Sequence, residues 1–209
     1  MNRCVIVSAG PFCDANALAG LLMPDDYVIA ADRGWLFAQA MGVTPSVLVA
    51  DFDSLDSTAV FGGVKVVDLP EEKDETDTAY AMKMAYEQGY RQFLLLGCTG
   101  GRLDHQQAAM IIAADYARKG CEVVLADEKN EIHFLMPGAY SFPAVSDETV
   151  SFFAFAEAVE GLFADGLYYE INGITLTPFN PLCVSNRCVE QDFQIMFKSG
   201  LLLAYFSKD

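Results

Sequence analysis

The first two-thirds of the chain alternates short apolar runs with longer amphipathic stretches, and this alternation restricts the possible folds more than any other feature. The apolar runs are predicted to be buried strands at residues 4–8, 27–31, 46–50, 92–96 and 122–126. The amphipathic stretches are predicted to be helices at residues 14–23, 36–41, 76–88 and 105–119. Runs without a polar face suit parallel strands that are covered on both sides. We therefore predict an α/β domain with a doubly wound, mostly parallel, Rossmann-like sheet.

The pattern changes near Pro137, and from there to Asp209 short strand-like runs are broken by Gly, Pro and Asn. Asn172 and Gly173 are the residue pair most typical of a two-residue hairpin turn. This pattern of short, interrupted runs predicts a small antiparallel β-sandwich or barrel. The expected organisation is an α/β domain at residues 1–136, followed by an all-β domain at residues 137–209.

The charge balance limits the possible partners. The 209 residues include 29 acidic and 13 basic side chains, a formal net charge of −16. Such an excess repels phosphate backbones, so we expect no nucleic-acid partner. Residues 1–8 are expected to be a first strand and not a signal peptide, and no apolar run approaches the roughly 20 residues of a membrane span. The chain is therefore expected to be cytoplasmic, with no membrane partner.

Four polar clusters fall at strand ends or just before a predicted helix, which is where open α/β sheets bind ligands. They are DRG at residues 32–34, ADFDSLD at 50–56, EEKDETD at 71–77 and GCTGGRLDH at 97–105. A protein that handles phosphates with so few basic residues is expected to neutralise them with a divalent cation held by carboxylates.

The cluster at residues 50–56 places Asp51 and Asp53 directly after an apolar strand. Two carboxylates at this spacing can converge on one hard cation if the chain turns there, and oxygen ligands suit Mg²⁺. The alternative is an Asx turn in a solvated acidic loop.

The cluster at residues 97–105 combines Gly100 and Gly101, which let the backbone approach a phosphate, with the fork-shaped guanidinium of Arg102. Asp104 stands where the next helix is expected to begin, so its alternative role is an N-cap. His105 is a candidate base, or a hydrogen-bonding or packing residue. The sequence contains no G-x-x-x-x-G-K-[ST], which excludes a P-loop enzyme.

The cluster at residues 71–77 has an equally simple alternative. It can be a charged loop in which Asp74 or Thr76 caps the following helix.

Taken in order, the clusters resemble the motifs of the thiamine pyrophosphokinase family. That family's pattern reads roughly D-G-G, P-D-x-x-x-G-D-F-D-S, [QK]-D-x-T-D and G-G-R-x-D-[HQ]. The corresponding segments are ADRG at 31–34, PSVLVADFDS at 45–54, KDETD at 73–77 and GGRLDH at 100–105. GLYYEI at 166–171 and VSN at 184–186 resemble the family's thiamine-binding β domain. The resemblance covers nearly the whole chain.

The resemblance implies a role for each matched residue. The metal ligands would be Asp51, Asp53, Asp74 and Asp77, and the catalytic residues would be Asp51, Asp53, Asp77 and Arg102. ATP would be bound by Asp32, Gly100, Gly101, Arg102, Asp104 and His105. Thiamine would be bound by Lys73, Thr76, Tyr169, Ser185 and Asn186.

The implied activity is the Mg²⁺-dependent transfer of diphosphate from ATP to the hydroxyl of thiamine, which gives thiamine diphosphate and AMP. The resemblance also implies a homodimer whose active sites are shared between subunits. Two alternatives stay open. One is a haloacid-dehalogenase-type phosphatase, although here D-x-D follows the third predicted strand and no later Lys with G-D-x-x-x-D is present. The other is a non-catalytic nucleotide sensor on the same fold, which would be expected to lose metal aspartates.

Overall fold

The structure is a computed structural model that describes residues 3–11, 14–50, 63–69, 74–145 and 147–208. Up to residue 126 the elements are, in order, β1 (Cys4–Val7), α1 (Ala15–Ala19), β2 (Tyr27–Ala31), α2 (Gly34–Ala40), β3 (Val47–Ala50), β4 (Lys65–Asp68), α3 (Asp77–Glu87), β5 (Gln92–Leu96), α4 (Leu103–Arg118) and β6 (Glu122–Ala126). The remaining elements are β7 (Asn130–Leu135), β8 (Gly138–Pro143), β9 (Glu148–Ala154), β10 (Val159–Asp165), β11 (Ile171–Leu176), β12 (Cys183–Asn186), β13 (Asp192–Phe197) and β14 (Leu202–Lys208).

The chain is a mixed α/β protein with a large mixed sheet and a small antiparallel sheet. It divides into two compact units. The first comprises Met1–Ile112 and Leu125–Glu128, and the second comprises Ala113–Val124 and Lys129–Asp209.

The first unit is organised around parallel strands in the order β5-β1-β2-β3-β4. Every residue of β1 and β3 is buried, which explains why these strands have no polar face. The four predicted helices are confirmed, although α1 ends earlier than expected, at the Gly20 C-cap. The five predicted strands are also confirmed, with β1 and β3 each one residue shorter than expected, at Cys4–Val7 and Val47–Ala50.

The edge strand β4 is a feature that the apolar pattern does not predict. It contains Val66 and Val67 between two charged residues, and its burial pattern is exposed at both ends and only intermediate in the middle. A strand paired on one side only does not need a long apolar run, so its sequence carries little signal.

The second unit consists largely of antiparallel strands. One group has the order β7-β14-β9-β12, and the small sheet has the order β8-β13-β10-β11. Side chains from both groups, among them Phe152, Leu162 and Phe193, form one buried core. These alternate with exposed residues, most clearly along β13, where Asp192, Gln194 and Met196 face outward.

The predicted hairpin turn at Asn172 and Gly173 is wrong, because both residues lie inside β11. Phe163 of β10 pairs with Asn172, whereas its neighbour Leu162 pairs with Ile174, so Gly173 is the extra residue of a bulge. Gly173 has a φ of 69°, a backbone conformation that suits Asn-Gly in a hairpin turn and in a bulge alike.

None of the helices in the described ranges is long and apolar enough to cross a membrane.

Candidate functional site

The parallel strands of the first unit bring several loops to one edge, where they line a cavity of about 530 Å³. Its walls come from the segments that follow β1, β2 and β5 and from the first turns of α3 and α4. The lining residues are 8–11, 31–33, 76–78, 97–99, 101–102, His105 and Ala109. Three of the four clusters identified in the sequence therefore meet at this cavity.

Glycines let the loops of this edge pack backbone against backbone. The Gly10 N–H donates to the carbonyl of Gly97 at 2.7 Å. A Cβ on Gly97 would lie 2.4 Å from the carbonyl oxygen of Ser8, and a Cβ on Gly34 would lie 1.9 Å from that of Val7. No other residue fits at these two positions without moving the strand ends, so the glycines set the shape of the cavity wall.

Asp32 occupies the first position after β2 with a φ of 51°, in the left-handed region. Its N–H donates to the carbonyl of Val49 at 2.8 Å, and its own carbonyl accepts from Trp35 at 3.3 Å. Aspartate is one of the few residue types that tolerates this conformation. Unusual backbone geometry of this kind clusters at functional sites, and here it belongs to a residue of the cavity wall.

The α3 helix begins at the cavity with Thr76 as its N-cap. The Thr76 hydroxyl oxygen accepts from the N–H of Ala79 at 3.2 Å, so of the two capping alternatives Thr76 is the one the structure adopts. Asp77 follows in the first turn, where a negative charge is favoured by the helix dipole. Thr78 then shares a hydrogen bond of 2.8 Å with Ser8.

At the other helix start, Arg102 and Asp104 form a two-pronged ion pair. Arg102 Nε donates to Asp104 Oδ1 at 3.1 Å and Nη2 donates to Oδ2 at 2.6 Å. Hydrogen bonding from Arg102 is the main reason that the pKa of Asp104 falls to about 2. The expectation that Asp104 is an N-cap is wrong, because α4 begins at Leu103 and Asp104 lies within its first turn.

Sequence reasoning missed a small polar group formed by Ser8, Thr78 and Cys98. Ser8 is buried, and the Cys98 thiol donates to its hydroxyl oxygen at 3.5 Å. Burial raises the pKa of Cys98 to about 11, which favours the protonated thiol. Residues 8–11 follow β1 as the other clusters follow their strands, and the strand-end rule would have found them.

The other predicted residues of this region fall into three groups. Asp74 and Gly100 are not among the described lining residues of the cavity, whereas Gly101 and His105 are. Asp51, Asp53 and Lys73 lie outside the described residues.

The described residues fit Mg²⁺ in the chemistry of their donors. Asp32 and Asp77 line the cavity, and carboxylate oxygens are the ligands that Mg²⁺ prefers. Within the described ranges, no group of three or more His, Cys, Asp and Glu side chains is arranged to hold a metal. The described part of the chain therefore contributes only part of a ligand set.

In the second unit, Ser185, at the end of β12, has a φ of 58°, and its N–H donates to the Ser151 hydroxyl at 2.9 Å. Asn186 is buried, and its side-chain amide bonds to both the N–H and the carbonyl of Tyr169. The Tyr169 ring is 64% exposed. The structure thus brings these three predicted thiamine residues together.

Comparison with known proteins identifies the family of the chain. Residues 18–125 match the model of the thiamin pyrophosphokinase catalytic domain, and residues 141–202 match that of its vitamin B1 binding domain. The chain is 26% identical over 214 residues to the thiamine pyrophosphokinase of Bacillus subtilis, with 100% of both chains covered.

Solved structures show the same likeness. The crystal structure of the Bacillus subtilis thiamine pyrophosphokinase superposes with a TM-score of 0.90 at 25% identity, covering 100% of both chains. That of the Geobacillus thermodenitrificans thiamin pyrophosphokinase gives 0.87 at 27%, covering 99% of this chain and 98% of that one. The Candida albicans thiamin pyrophosphokinase shares the fold at 15% identity, with a TM-score of 0.75 and coverage of 99% and 89%. The chain belongs to the thiamin pyrophosphokinase family.

Proposed function

We propose that the chain is a thiamine diphosphokinase, which transfers the β- and γ-phosphoryl groups of ATP as one unit to the primary hydroxyl of thiamine. The single observation that carries the proposal is that the family's catalytic and vitamin B1 binding models match successive parts of this chain. The cavity in the first unit supports it, because two arginines, two carboxylates and the starts of two helices line the same space.

ATP is proposed to occupy this cavity. Arg33 and Arg102 both reach it, and a guanidinium can hold two phosphate oxygens at once. The first turns of α3 and α4 add backbone N–H groups at the positive ends of their dipoles. Gly100, Gly101, Asp104 and His105 are proposed to complete the nucleotide site, together with Asp32.

Mg²⁺ is proposed to be held by Asp77 with Asp51, Asp53 and Asp74, and Asp32 lies close to these ligands in the proposal. When bound, the ion would supply positive charge to the phosphate oxygens as the diphosphate moves. A donor set made of carboxylate oxygens suits this ion better than a softer metal.

The reaction balances as a single displacement. The hydroxyl oxygen of thiamine attacks the β-phosphorus of ATP, the bond from that phosphorus to the bridging oxygen on the α-phosphate breaks, and AMP leaves with that oxygen. An aspartate of the site accepts the hydroxyl proton. Arg102 stabilises negative charge on the transferring group, which is the usual main contribution of protein side chains in phosphoryl transfer.

Thiamine is proposed to bind through Tyr169, Ser185 and Asn186, with Lys73 and Thr76 at the junction between diphosphate and acceptor. The exposed Tyr169 ring offers an aromatic face to the cationic thiazolium ring of thiamine. The formal net charge of −16 also favours a cationic acceptor.

The organisation predicted from the sequence remains part of this proposal. We propose a doubly wound, Rossmann-like nucleotide domain at residues 1–136 and a thiamine domain at residues 137–209. We also propose a cytoplasmic homodimer whose active sites need both subunits, with no nucleic-acid or membrane partner. Light scattering on the active enzyme would test the dimer, and an active species with the mass of one chain would contradict it.

The family comparisons do not support the phosphatase or the sensor. Product analysis separates the three functions. With ATP, Mg²⁺ and thiamine, the proposal predicts equal amounts of AMP and thiamine diphosphate, and no AMP when thiamine is omitted. Release of inorganic phosphate would indicate a phosphatase, and binding of ATP without turnover would indicate a sensor.

A further inference from the structure

Asn186 is unusual in the second unit because its polar side chain is almost completely buried. It is 3% exposed, and among the serine, threonine, amide and charged residues in the described part of the chain only Ser8 of the first unit is also buried as a whole residue. A buried amide lowers stability unless its donors and acceptors are satisfied, so the partners of Asn186 indicate what it does.

All the described partners of this amide are backbone groups. Asn186 Oδ1 accepts from the N–H of Tyr169 at 3.0 Å and from the N–H of Arg187 at 2.9 Å. Its Nδ2 donates to the carbonyl of Tyr169 at 2.8 Å. The donors and acceptors around the amide fix which atom is oxygen and which is nitrogen. Both lone pairs of Oδ1 are therefore in use.

The two bonds to Tyr169 reproduce the exchange between paired residues of an antiparallel sheet. The Asn186 side chain thus takes the place of a paired strand residue opposite Tyr169. Adjacent backbone bonds continue the pairing, from the Tyr168 N–H to the Arg187 carbonyl at 2.9 Å and from the Val189 N–H to the Gly166 carbonyl at 2.9 Å. The backbone that carries Tyr169 is held on both of its polar groups by Asn186.

The Tyr169 side chain, by contrast, is left open to solvent. The residue is 64% exposed, and its ring meets the ring of Tyr168 edge-on, with centroids 4.9 Å apart. The Arg187 guanidinium lies 4.2 Å from the centroid of the Tyr168 ring and so supports that neighbour. An exposed ring on a rigid backbone is suited to ligand contact, because little conformational entropy is lost on binding.

We infer that Asn186 is a positioning residue that fixes Tyr169 for acceptor binding and does not itself contact thiamine. The inference rests on the proposed function and refines its assignment of the acceptor site. Asn186 acts through the backbone of residue 169, and the exposed Tyr169 ring makes the contact.

The inference predicts a selective kinetic effect of Asn186→Asp. This change keeps the size of the side chain but replaces the Nδ2 donor with an oxygen that faces the Tyr169 carbonyl, so the anchor is lost. The KM for thiamine should rise about tenfold, which corresponds to the loss of about 1.4 kcal/mol of binding, while the KM for ATP changes less than about twofold. Tyr140→Phe is the matched control, because it removes a 2.7 Å hydrogen bond to the Met136 carbonyl in the same unit and should leave both KM values unchanged.

A double-mutant cycle tests the route of the effect. Tyr169→Ala alters an exposed side chain and should raise the KM for thiamine by itself. In that background, Asn186→Asp should add less than about twofold, because the ring it positions is already absent. An undiminished effect of Asn186→Asp would mean that Asn186 contacts thiamine directly and would overturn the inference.

The test remains decisive if Asn186→Asp does not fold. If Tyr169→Ala left the KM for thiamine unchanged, there would be no contact for Asn186 to position, and the inference would be wrong. A wild-type protein that makes no AMP from ATP and thiamine would instead refute the proposed function. The two failures are therefore distinguishable.

Discussion

Arg102 and Asp104 form a bidentate ion pair at the start of α4, with Nε–Oδ1 and Nη2–Oδ2 distances of 3.1 and 2.6 Å. The two side chains are 72% and 65% exposed, so water and salt screen the pair and it contributes little to stability. Its more important consequence is that Asp104 fixes the orientation of the Arg102 guanidinium fork.

The first prediction concerns the charge of Asp104. Its pKa is lowered from 3.8 to about 2, first by the hydrogen bonds from Arg102 and then by the N–H of His105 and nearby positive charge, against an opposing effect of desolvation. A lowered pKa in the folded state means that the small contribution of this exposed pair to stability is present above pH 3.8 and is lost as the pH falls to about 2. In Arg102→Ala the pKa of Asp104 should rise toward its ordinary range, because the largest cause of the lowering is removed.

Carboxyl NMR titration of the two proteins measures this pKa directly. A pKa of about 4 for Asp104 in the wild-type protein would show that the ion pair does not persist in solution. Lys119→Ala is a suitable control, because it breaks the separate ion pair with Asp115 on the same helix and should leave Asp104 unchanged.

The second prediction is that Arg102→Ala impairs the use of ATP. Loss of charge-assisted hydrogen bonds to phosphate should reduce kcat/KM for ATP roughly 10- to 150-fold. This reduction corresponds to about 1.5–3 kcal/mol of lost transition-state stabilisation. Arg118→Ala is the control, because Arg118 lies at the other end of α4 in an exposed ion pair with Glu157 and should change little. Equal kinetic effects of the two substitutions would remove Arg102 from the nucleotide site.

The third prediction concerns Asp77 and the metal. Asp77→Asn keeps the side-chain volume but removes a ligand charge. At limiting Mg²⁺, kcat should therefore fall by a factor that corresponds to several kcal/mol of lost transition-state stabilisation. The same substitution at Asp115, which is exposed on α4, should leave activity unchanged. Turnover measured across a Mg²⁺ series is the test. An Asp77→Asn protein with a normal Mg²⁺ dependence would exclude Asp77 as a ligand.

The fourth prediction concerns the backbone contact of Gly34. A Cβ at this position would lie 1.9 Å from the carbonyl oxygen of Val7, at the strand end beside the cavity. Gly34→Ala should therefore lower the free energy of unfolding by about 1–3 kcal/mol, as overpacking does. Gly20→Ala, at a C-cap with a φ of −65°, should change it by less than about 1 kcal/mol. Urea unfolding of the two variants measures the difference. Similar stabilities would show that the backbone of β1 shifts at Val7 and accommodates the added Cβ without loss of stability.

The sequence alone is sufficient to predict a strand whose two faces are both buried, because such burial requires a continuous apolar run. The strands β1, β2, β3 and β5 are recognisable because both of their faces are covered, and nothing polar interrupts them. The edge strand β4 is half exposed, so its residues are not restricted in the same way. Because parallel strands end at a common edge, the polar clusters that follow them can be assigned to that edge from the sequence alone.

Contacts between residues that are distant in sequence cannot be predicted in this way. Ser8 and Thr78 are 70 residues apart, and their hydrogen bond leaves no local signal. The motif at residues 184–186 indicates Asn186 as a thiamine contact, although its amide bonds to the backbone of Tyr169. A motif indicates that a residue belongs to a site, but only the contacts of its atoms show whether it binds the ligand or positions another residue. Asn172 and Gly173 show that a local sequence signal can also fit two structures, because the same backbone conformation occurs in a hairpin turn and in the bulge that is found here.

The most direct test of the central claim, that ATP donates its diphosphate as one unit, is the position of a label in the product. ATP carrying a radioactive β-phosphorus is incubated with thiamine and Mg²⁺, and the terminal phosphate of the thiamine diphosphate formed is then removed enzymatically. Because the hydroxyl attacks the β-phosphorus, the label should stay in thiamine monophosphate, ester-linked to thiamine. Label retained in ADP, with unlabelled thiamine diphosphate, would mean two successive single transfers and would contradict the account.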